Sequence, residues 1–133
     1  MISSFFAFLL FFITAVLIVV LFLYLYAKVT PYDDYKLIFQ ENNTAASIGF
    51  GGAILGLSIP LYSALVHSVD YFDFIVWAAI AMLVQLAFAY ATTRTKGKYS
   101  LEKHITEGTL SVGVLMALLS IAIGVLNAGS MSY

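Results

Sequence analysis

Acid–base or metal chemistry in this sequence would have to come from two histidines and seven carboxylates. His67 and His104 lie in different loops, and neither belongs to H-E-x-x-H or another metal-binding spacing. No carboxylate lies deep in an apolar segment, where it would mark a proton path across a membrane. Because cysteine is absent, the sequence offers no thiolate ligand, Cys nucleophile or disulfide. We therefore expect no catalytic residue, no cofactor and no metal site.

The composition decides which elements could position such residues. Sixty-two per cent of residues are hydrophobic and 10% are charged, whereas about a quarter of a soluble domain is charged. This excludes a water-soluble monomer and a disordered chain. Six basic residues against seven acidic ones leave no positive field for a nucleic acid. Four apolar segments reach the roughly 20 residues that cross a bilayer, which predicts an all-α integral membrane protein with spans at residues 5–27, 45–66, 72–93 and 108–128.

The basic residues predict the orientation of the chain. They occur in the loop between spans one and two and in the loop between spans three and four: Lys28, Lys36, Arg94, Lys96, Lys98 and Lys103. The positive-inside rule makes these loops cytoplasmic, where they can contact anionic lipid, and places both termini on the outer side. Span one has no basic residue before it and no clear cleavage site, so we interpret it as a retained span and not as a signal peptide.

Weak similarity between the halves predicts an internal repeat. Tyr24 aligns with Phe88 and, after a loop two residues shorter in the second half, Thr44 aligns with Thr106. Each half, residues 1–66 and 67–133, would be one transmembrane hairpin. An even number of spans per half gives two tandem repeats of the same orientation, which are parallel repeats.

Small residues recur every three or four positions in spans two and four, which places them on one face of each helix. They are Gly49, Gly52, Gly56 and Pro60 in span two, and Gly113, Ala117, Ser120 and Gly124 in span four. Such faces let helices approach closely, so we expect these two spans to be central. The faces could pack against each other, form a homo-oligomer axis, or line a narrow conduit. Pro60 leaves the carbonyl of Gly56 without its helical donor, and Ser58 or Ser63 could help to satisfy the backbone there.

Polar residues mark two further positions. Gln85 lies near the centre of span three, where it would either hydrogen-bond another helix or line a polar path, and Asn127 is expected near the outer surface in contact with water.

A helix-entrance motif precedes spans two and four; its residues are Asn43, Thr44, Ser47, Thr106 and Glu107. We expect Asn42, Asn43 and Thr44 to cap span two and Thr106 to cap span four, although acidic residues here could also collect cations. Residues 35–39 predict a short interfacial helix.

Four sequence segments carry a family resemblance. They are K-V-T-P at residues 28–31, N-T-A-A-S at residues 43–47, which opens a Gly-rich span, I-P-L-Y-S-A at residues 59–64 and N-A-G-S-M at residues 127–131. With these segments the chain resembles the YjfL family, small bacterial inner-membrane proteins whose domain has no assigned function. The second half departs from the family pattern at residues 105–109, where N-T-A-A is often repeated. The resemblance implies association with PspA-like envelope-stress systems and ATP-grasp ligases.

These observations lead to two main hypotheses. The first is a non-enzymatic, homo-oligomeric inner-membrane component of an envelope-stress system, with a peripheral stress-response protein as partner. The alternative is an ion channel or small-molecule conduit lined by spans two and four. A membrane enzyme comes third, because it would require water to reach a histidine beside a carboxylate.

Overall fold

A computed structural model describes residues 1–131, which are helical and contain no strand within that range. The helices are α1 Ile2–Val29, α2 Thr44–His67, α3 Tyr71–Thr93, α4 Leu101–Thr106 and α5 Leu110–Ser130, with a π-helical turn at Lys36–Gln40 and a 3-10 turn at Gly97–Tyr99. Helices α1, α2, α3 and α5 are long and apolar enough to cross a membrane. The prediction of an all-α protein with four candidate spans is confirmed. Ser132 and Tyr133, which end the predicted second repeat and form the predicted outer carboxyl terminus, lie outside the described residues.

Side-chain caps set the starts of two spans. The Asn43 side chain accepts a hydrogen bond from the Ala46 backbone N–H at 3.0 Å. The Asp70 carboxylate accepts one from the Asp73 N–H at 2.8 Å. Each cap satisfies a backbone donor that has no partner inside the helix. Asp70 therefore ends the short connection between α2 and α3 and fixes the start of α3.

The prediction that Thr106 caps span four is wrong. Thr106 ends α4, and its hydroxyl donates to the Glu102 carbonyl at 2.9 Å. Residues 101–106 form a helix of their own because the Ser100 side chain caps it. The N-cap position of α5 therefore moves to Thr109, whose side chain makes no cap hydrogen bond. The interfacial helix predicted at residues 35–39 is the π-helical turn Lys36–Gln40.

Helices α2 and α5 run parallel and in close contact. Along this α2–α5 seam, Ala45 lies opposite Gly113, Gly52 opposite Ala117, and Gly56 opposite Ser120. A Cβ atom on Gly113 would lie 2.5 Å from the Ala45 carbonyl oxygen, so the backbones can approach this closely only where a glycine is present.

The four spans differ in how much of their surface the chain itself covers. Half of the apolar stretch of α2 is buried, but only about a tenth of that of α1. Helices α3 and α5 are each buried over a third of their apolar stretch. Their equal burial does not distinguish span four from span three, so the central position of span four stays a prediction.

The Gly56 carbonyl is not reached by the serines expected to help it. The Ser58 hydroxyl donates to the Ile54 carbonyl at 2.8 Å, and the Ser63 hydroxyl lies 3.5 Å from the Ala128 carbonyl. A serine in a helix reaches most easily the carbonyl four residues before it, which for Ser58 is Ile54. The backbone of Gly124 packs against the Gly56 carbonyl instead.

Candidate functional site at the helix entrances

A polar cavity of about 320 Å³ lies where the α1–α2 loop meets the α3–α5 loop. Its lining residues are Glu41, Asn42, Asn43, Thr44, Thr106, Glu107 and Gly108. Four of the five predicted helix-entrance residues therefore come together, although they belong to opposite halves of the sequence. The fifth, Ser47, lines a neighbouring cavity of about 270 Å³ together with Ile38 and residues 42–44.

Asn43 is the residue that joins the two loops. Its side-chain amide donates to the Ile105 carbonyl at 2.7 Å, while the amide oxygen caps α2. Its backbone N–H donates to the Leu37 carbonyl at 2.8 Å. Because Asn43 is buried, losing the bond to Ile105 would leave a carbonyl and an amide without partners in a low-dielectric environment.

Two residues with left-handed backbone conformation shape the cavity. Asn42 has φ of 53° and Gly108 has φ of 80°, and each directly precedes an N-cap residue, Asn43 or Thr109. Asparagine and glycine are the residues that adopt this conformation most readily. The prediction that Asn42, Asn43 and Thr44 cap span two is confirmed only for Asn43, which is the N-cap: Asn42 precedes it and Thr44 is the first residue of α2. Sequence reasoning missed the left-handed conformation of Asn42 and of Gly108, the predicted start of span four, although an Asn or Gly directly before a capping residue is a usable signal.

The chemistry of this cavity is that of polar recognition. Glu41 and Glu107 are exposed beside the starts of α2 and α5, where backbone N–H groups lack helical partners. No group of three or more His, Cys, Asp or Glu residues able to hold a metal occurs among residues 1–131. The cavity can thus offer donors and acceptors to a polar ligand or a docking segment.

Inside the membrane, Gln85 joins α3 to α5. It is only 4% exposed, its Nε2 donates to the Ser120 carbonyl at 3.3 Å, and its Oε1 accepts from Asn127 Nδ2 at 3.2 Å. The expectation that Asn127 meets water at the outer surface is wrong: it is 8% exposed and also donates to the Ala81 carbonyl. Asn127 lies three and seven residues after Gly124 and Ser120, so helical periodicity places it on their buried face.

The predicted small-residue faces meet within one chain. The side chain of Met116 occupies the space beside Gly49, and Gly124 contacts Gly56. Pro60 is buried on the same helix. A Cβ on Gly56 would lie 2.5 Å from the Ser120 carbonyl and 2.9 Å from Gln85 Nε2. The structure therefore leaves no space between α2 and α5 at this level.

Asp34 is a buried carboxyl group that sequence reasoning treated as an ordinary loop residue. It is 2% exposed, and the Thr30 hydroxyl lies 2.5 Å from its Oδ2. Burial, and then the neighbouring charge of Asp33, raise the pKa of Asp34 to about 6 against the lowering effect of the Thr30 hydrogen bond. Burial and the charges of Asp34 and Glu102 raise the pKa of Tyr32, whose hydroxyl donates to Met116 Sδ at 3.5 Å.

Comparison with known proteins finds relatives that match nearly the whole chain. The UPF0719 inner membrane protein YjfL of Escherichia coli strain K12 is 37% identical over 131 residues, which cover 98% of this chain and 97% of that protein. The protein of the same name from Escherichia coli O157:H7 gives the same values. No solved structure matches. The family model described as Domain of Unknown Function (DUF350) matches residues 1–131, so the chain belongs to the DUF350 family, as its N-T-A-A-S segment and Gly-rich second span had indicated.

Proposed function

We propose that this protein is a non-enzymatic, homo-oligomeric component of the bacterial inner membrane that serves an envelope-stress system. In this proposal, the four long helices pack together without a pore. The α1–α2 and α3–α5 loops form one joined surface on the cytoplasmic side, which contacts anionic lipid or a peripheral stress-response protein. The observation that carries the proposal is the buried hydrogen bond between Asn43 and Ile105. It makes a single surface from two loops that are far apart in sequence.

The proposed architecture is two tandem hairpins, α1–α2 and α3–α5, with α2 and α5 at the centre. The parallel contact of α2 with α5 supports it, as do the matching left-handed residues Asn42 and Gly108. If the repeats are aligned by their N-caps, Asn43 corresponds to Thr109 and not to Ile105. The loop of residues 94–109 is then two residues longer than the loop of residues 30–43, not shorter as the sequence alignment suggested.

Basic side chains of the joined surface support a peripheral partner or anionic lipid, and they stand beside the exposed carboxylates Glu41 and Glu107. Lys36, Lys96, Lys98 and Lys103 are exposed there, and Arg94 lies over the Tyr90 ring at 4.4 Å. Each basic residue close to an anionic membrane contributes about 1 kcal/mol of attraction. The proposal places these residues on the cytoplasmic side, in keeping with the positive-inside rule.

The surface for assembly must lie elsewhere than the α2–α5 seam, since each chain already fills that seam. Gly51 offers one: a Cβ placed there would have no other atom within 4 Å. Ser47 and Leu55, one turn before and after it, are half-buried and exposed respectively. Small residues on a membrane-facing surface allow a second helix to approach closely. We therefore place the contact between copies on this outer face of α2.

The test compares two neighbouring glycines of α2. Gly51→Leu should shift the mass of the detergent-solubilised protein toward the monomer, while helical content and thermal unfolding temperature stay near those of the wild type. Gly52→Leu is the matched control, since Gly52 faces the backbone of Ala117 and its replacement should unfold the chain. Native mass spectrometry and circular dichroism give both readouts. A monomeric wild type, or an unchanged oligomer in Gly51→Leu, would contradict the proposal.

A conduit between α2 and α5 has no observation in its favour. The helices are so close that a Cβ atom on Gly52 or Gly56 would collide with the backbone of α5. Gln85 is hydrogen-bonded to Ser120 and Asn127. A path along this seam would require the helices to separate and those bonds to break.

A further inference from the structure

A groove of about 560 Å³ on the membrane-facing side of α1 has an apolar end and a charged end. Val20, Leu23 and Ala27 line its apolar part, and Lys28 and Asp33 line its charged part. The three apolar residues are three and four positions apart, so they lie along one face of α1. From Val20 to Lys28 this face extends about 12 Å along the helix axis.

The position of the groove is that of the boundary between acyl chains and headgroups. Lys28 lies in the last turn of α1, after a long uncharged stretch that begins at Ile2. Tyr24 and Tyr35 line the groove as well, and tyrosine is enriched at this depth of a bilayer. The groove thus faces lipid at its apolar end and headgroups at its charged end, whichever side of the membrane that end occupies.

The charged end carries both signs of charge. The Lys28 ammonium lies 5.4 Å from the centre of the Tyr24 ring. Asp33 Oδ1 accepts the Lys36 backbone N–H at 3.1 Å, which leaves Oδ2 available. Among residues 1–131, neither Lys28 nor Asp33 has an ion-pair partner within 4.0 Å. A ligand that brings one anionic and one cationic group could satisfy both side chains.

We propose that this groove binds a zwitterionic aminophospholipid of the phosphatidylethanolamine type. The Lys28 ammonium pairs with the lipid phosphate, Asp33 Oδ2 accepts a hydrogen bond from the lipid ammonium, and an acyl chain lies along Val20, Leu23 and Ala27. An anionic lipid such as phosphatidylglycerol matches Lys28 but brings no cation to Asp33. Charge complementarity therefore favours the aminophospholipid. This inference stands apart from the proposed oligomer and its stress role.

The experiment measures lipid retention by the full chain in mild detergent, using native mass spectrometry. Dioleoyl phosphatidylethanolamine and dioleoyl phosphatidylglycerol are the two probes. The wild type should retain the first about three- to fivefold better, the difference that an exposed charge pair supplies. Asp33→Asn should bring the two lipids within about twofold of each other by the same reasoning. Lys28→Ala should weaken the retention of both.

Gln40→Ala is the matched control, because Gln40 is an exposed, uncharged residue of the same loop and lies outside the groove. It should retain both lipids as the wild type does. Because Lys28, Asp33 and Gln40 are all exposed, the variants should keep the wild-type helical content, which circular dichroism checks. Equal retention of the two lipids by the wild type would overturn the proposal. So would a preference that survives both Asp33→Asn and Lys28→Ala, because the bound lipid would then be ordinary annular lipid.

Discussion

At the scale of single residues, Asp34 shows how folding changes the chemistry of a loop carboxyl group. The Thr30 hydroxyl lies near three acceptors, namely Asp34 Oδ2 at 2.5 Å, the Tyr32 carbonyl at 3.2 Å and the Ala27 carbonyl at 3.4 Å. A hydroxyl has only one proton to donate. Its nearest acceptor is Asp34 Oδ2, and donation to that oxygen lowers the pKa of Asp34. Burial of the carboxyl group has the larger effect, so the pKa of Asp34 is raised overall.

The raised pKa of Asp34 predicts that the contribution of this carboxyl group to the stability of the protein falls as the pH rises. Because the pKa of Asp34 is raised from 3.8 to about 6 in the folded chain, the folded state holds the proton more tightly than the unfolded state. The contribution of Asp34 is therefore fully present below pH 3.8, and it is lost as the pH rises through about 6. The Asp34→Asn variant should flatten this dependence and be more stable at neutral pH by up to about 3 kcal/mol.

Unfolding in detergent, followed by circular dichroism between about pH 4 and about pH 8, measures the effect. The groups that act on Asp34 and its neighbours are Tyr26 from α1, Tyr32 and Asp33 from the same loop, and Glu102 from α4. Glu107→Gln is the control, because Glu107 is exposed on the other loop, and it should keep the wild-type dependence. An Asp34→Asn variant with that same dependence would show that another group titrates.

At the scale of elements, the α2–α5 seam is where small side chains determine the packing. Pro60 deprives the Gly56 carbonyl of its usual donor, and the Gly124 backbone packs directly against that carbonyl. Such a close approach allows a weak Cα–H···O contact. In a bilayer, close packing and buried polar contacts hold helices together, because lipid removes the hydrophobic drive for association.

Two adjacent alanine substitutions separate helix propensity from packing. Gly52→Ala should lower the free energy of unfolding by about 1–3 kcal/mol, because the new Cβ would collide with the Ala117 backbone. Gly51→Ala should be neutral or stabilising by up to about 1 kcal/mol, because its Cβ meets open space and alanine favours the helix. Thermal unfolding of the two variants tests this directly. Equal effects at both positions would mean that α2 is rotated relative to this seam.

At the scale of the whole molecule, contacts at both ends link the two hairpins. Asn43 bonds to Ile105 at one end, and the Thr14 and Tyr71 hydroxyls lie 2.8 Å apart toward the other. At that same end, Phe11 packs against Phe74 with ring centres 5.5 Å apart. Between the two ends, the α2–α5 seam keeps the helix pairs in contact, from Ala45 opposite Gly113 to Gly56 opposite Ser120.

The proposed orientation can be tested by labelling single introduced cysteines, because the chain has no cysteine of its own that would react as well. Single cysteines at Lys36 and Lys98 should resist a membrane-impermeant maleimide in intact spheroplasts, since both loops are proposed to be cytoplasmic. A cysteine at Val69, which is 90% exposed between α2 and α3, should react. Labelling of Lys36→Cys and Lys98→Cys from opposite sides would refute parallel hairpins. Protection of Val69→Cys together with labelling of both loop cysteines would show that the chain has the opposite orientation.

The sequence by itself determined that four apolar helices cross a membrane, since hydropathy and length are local properties that survive any packing. It also identified Gln85, the small-residue faces and Asn43 as positions that need partners. Only the tertiary structure decided that the two small-residue faces meet each other, that Asn127 is buried against Gln85, and that Asp34 is enclosed. Those outcomes depend on which helices become neighbours. Periodicity shows which residues share a face, but it cannot show what that face contacts.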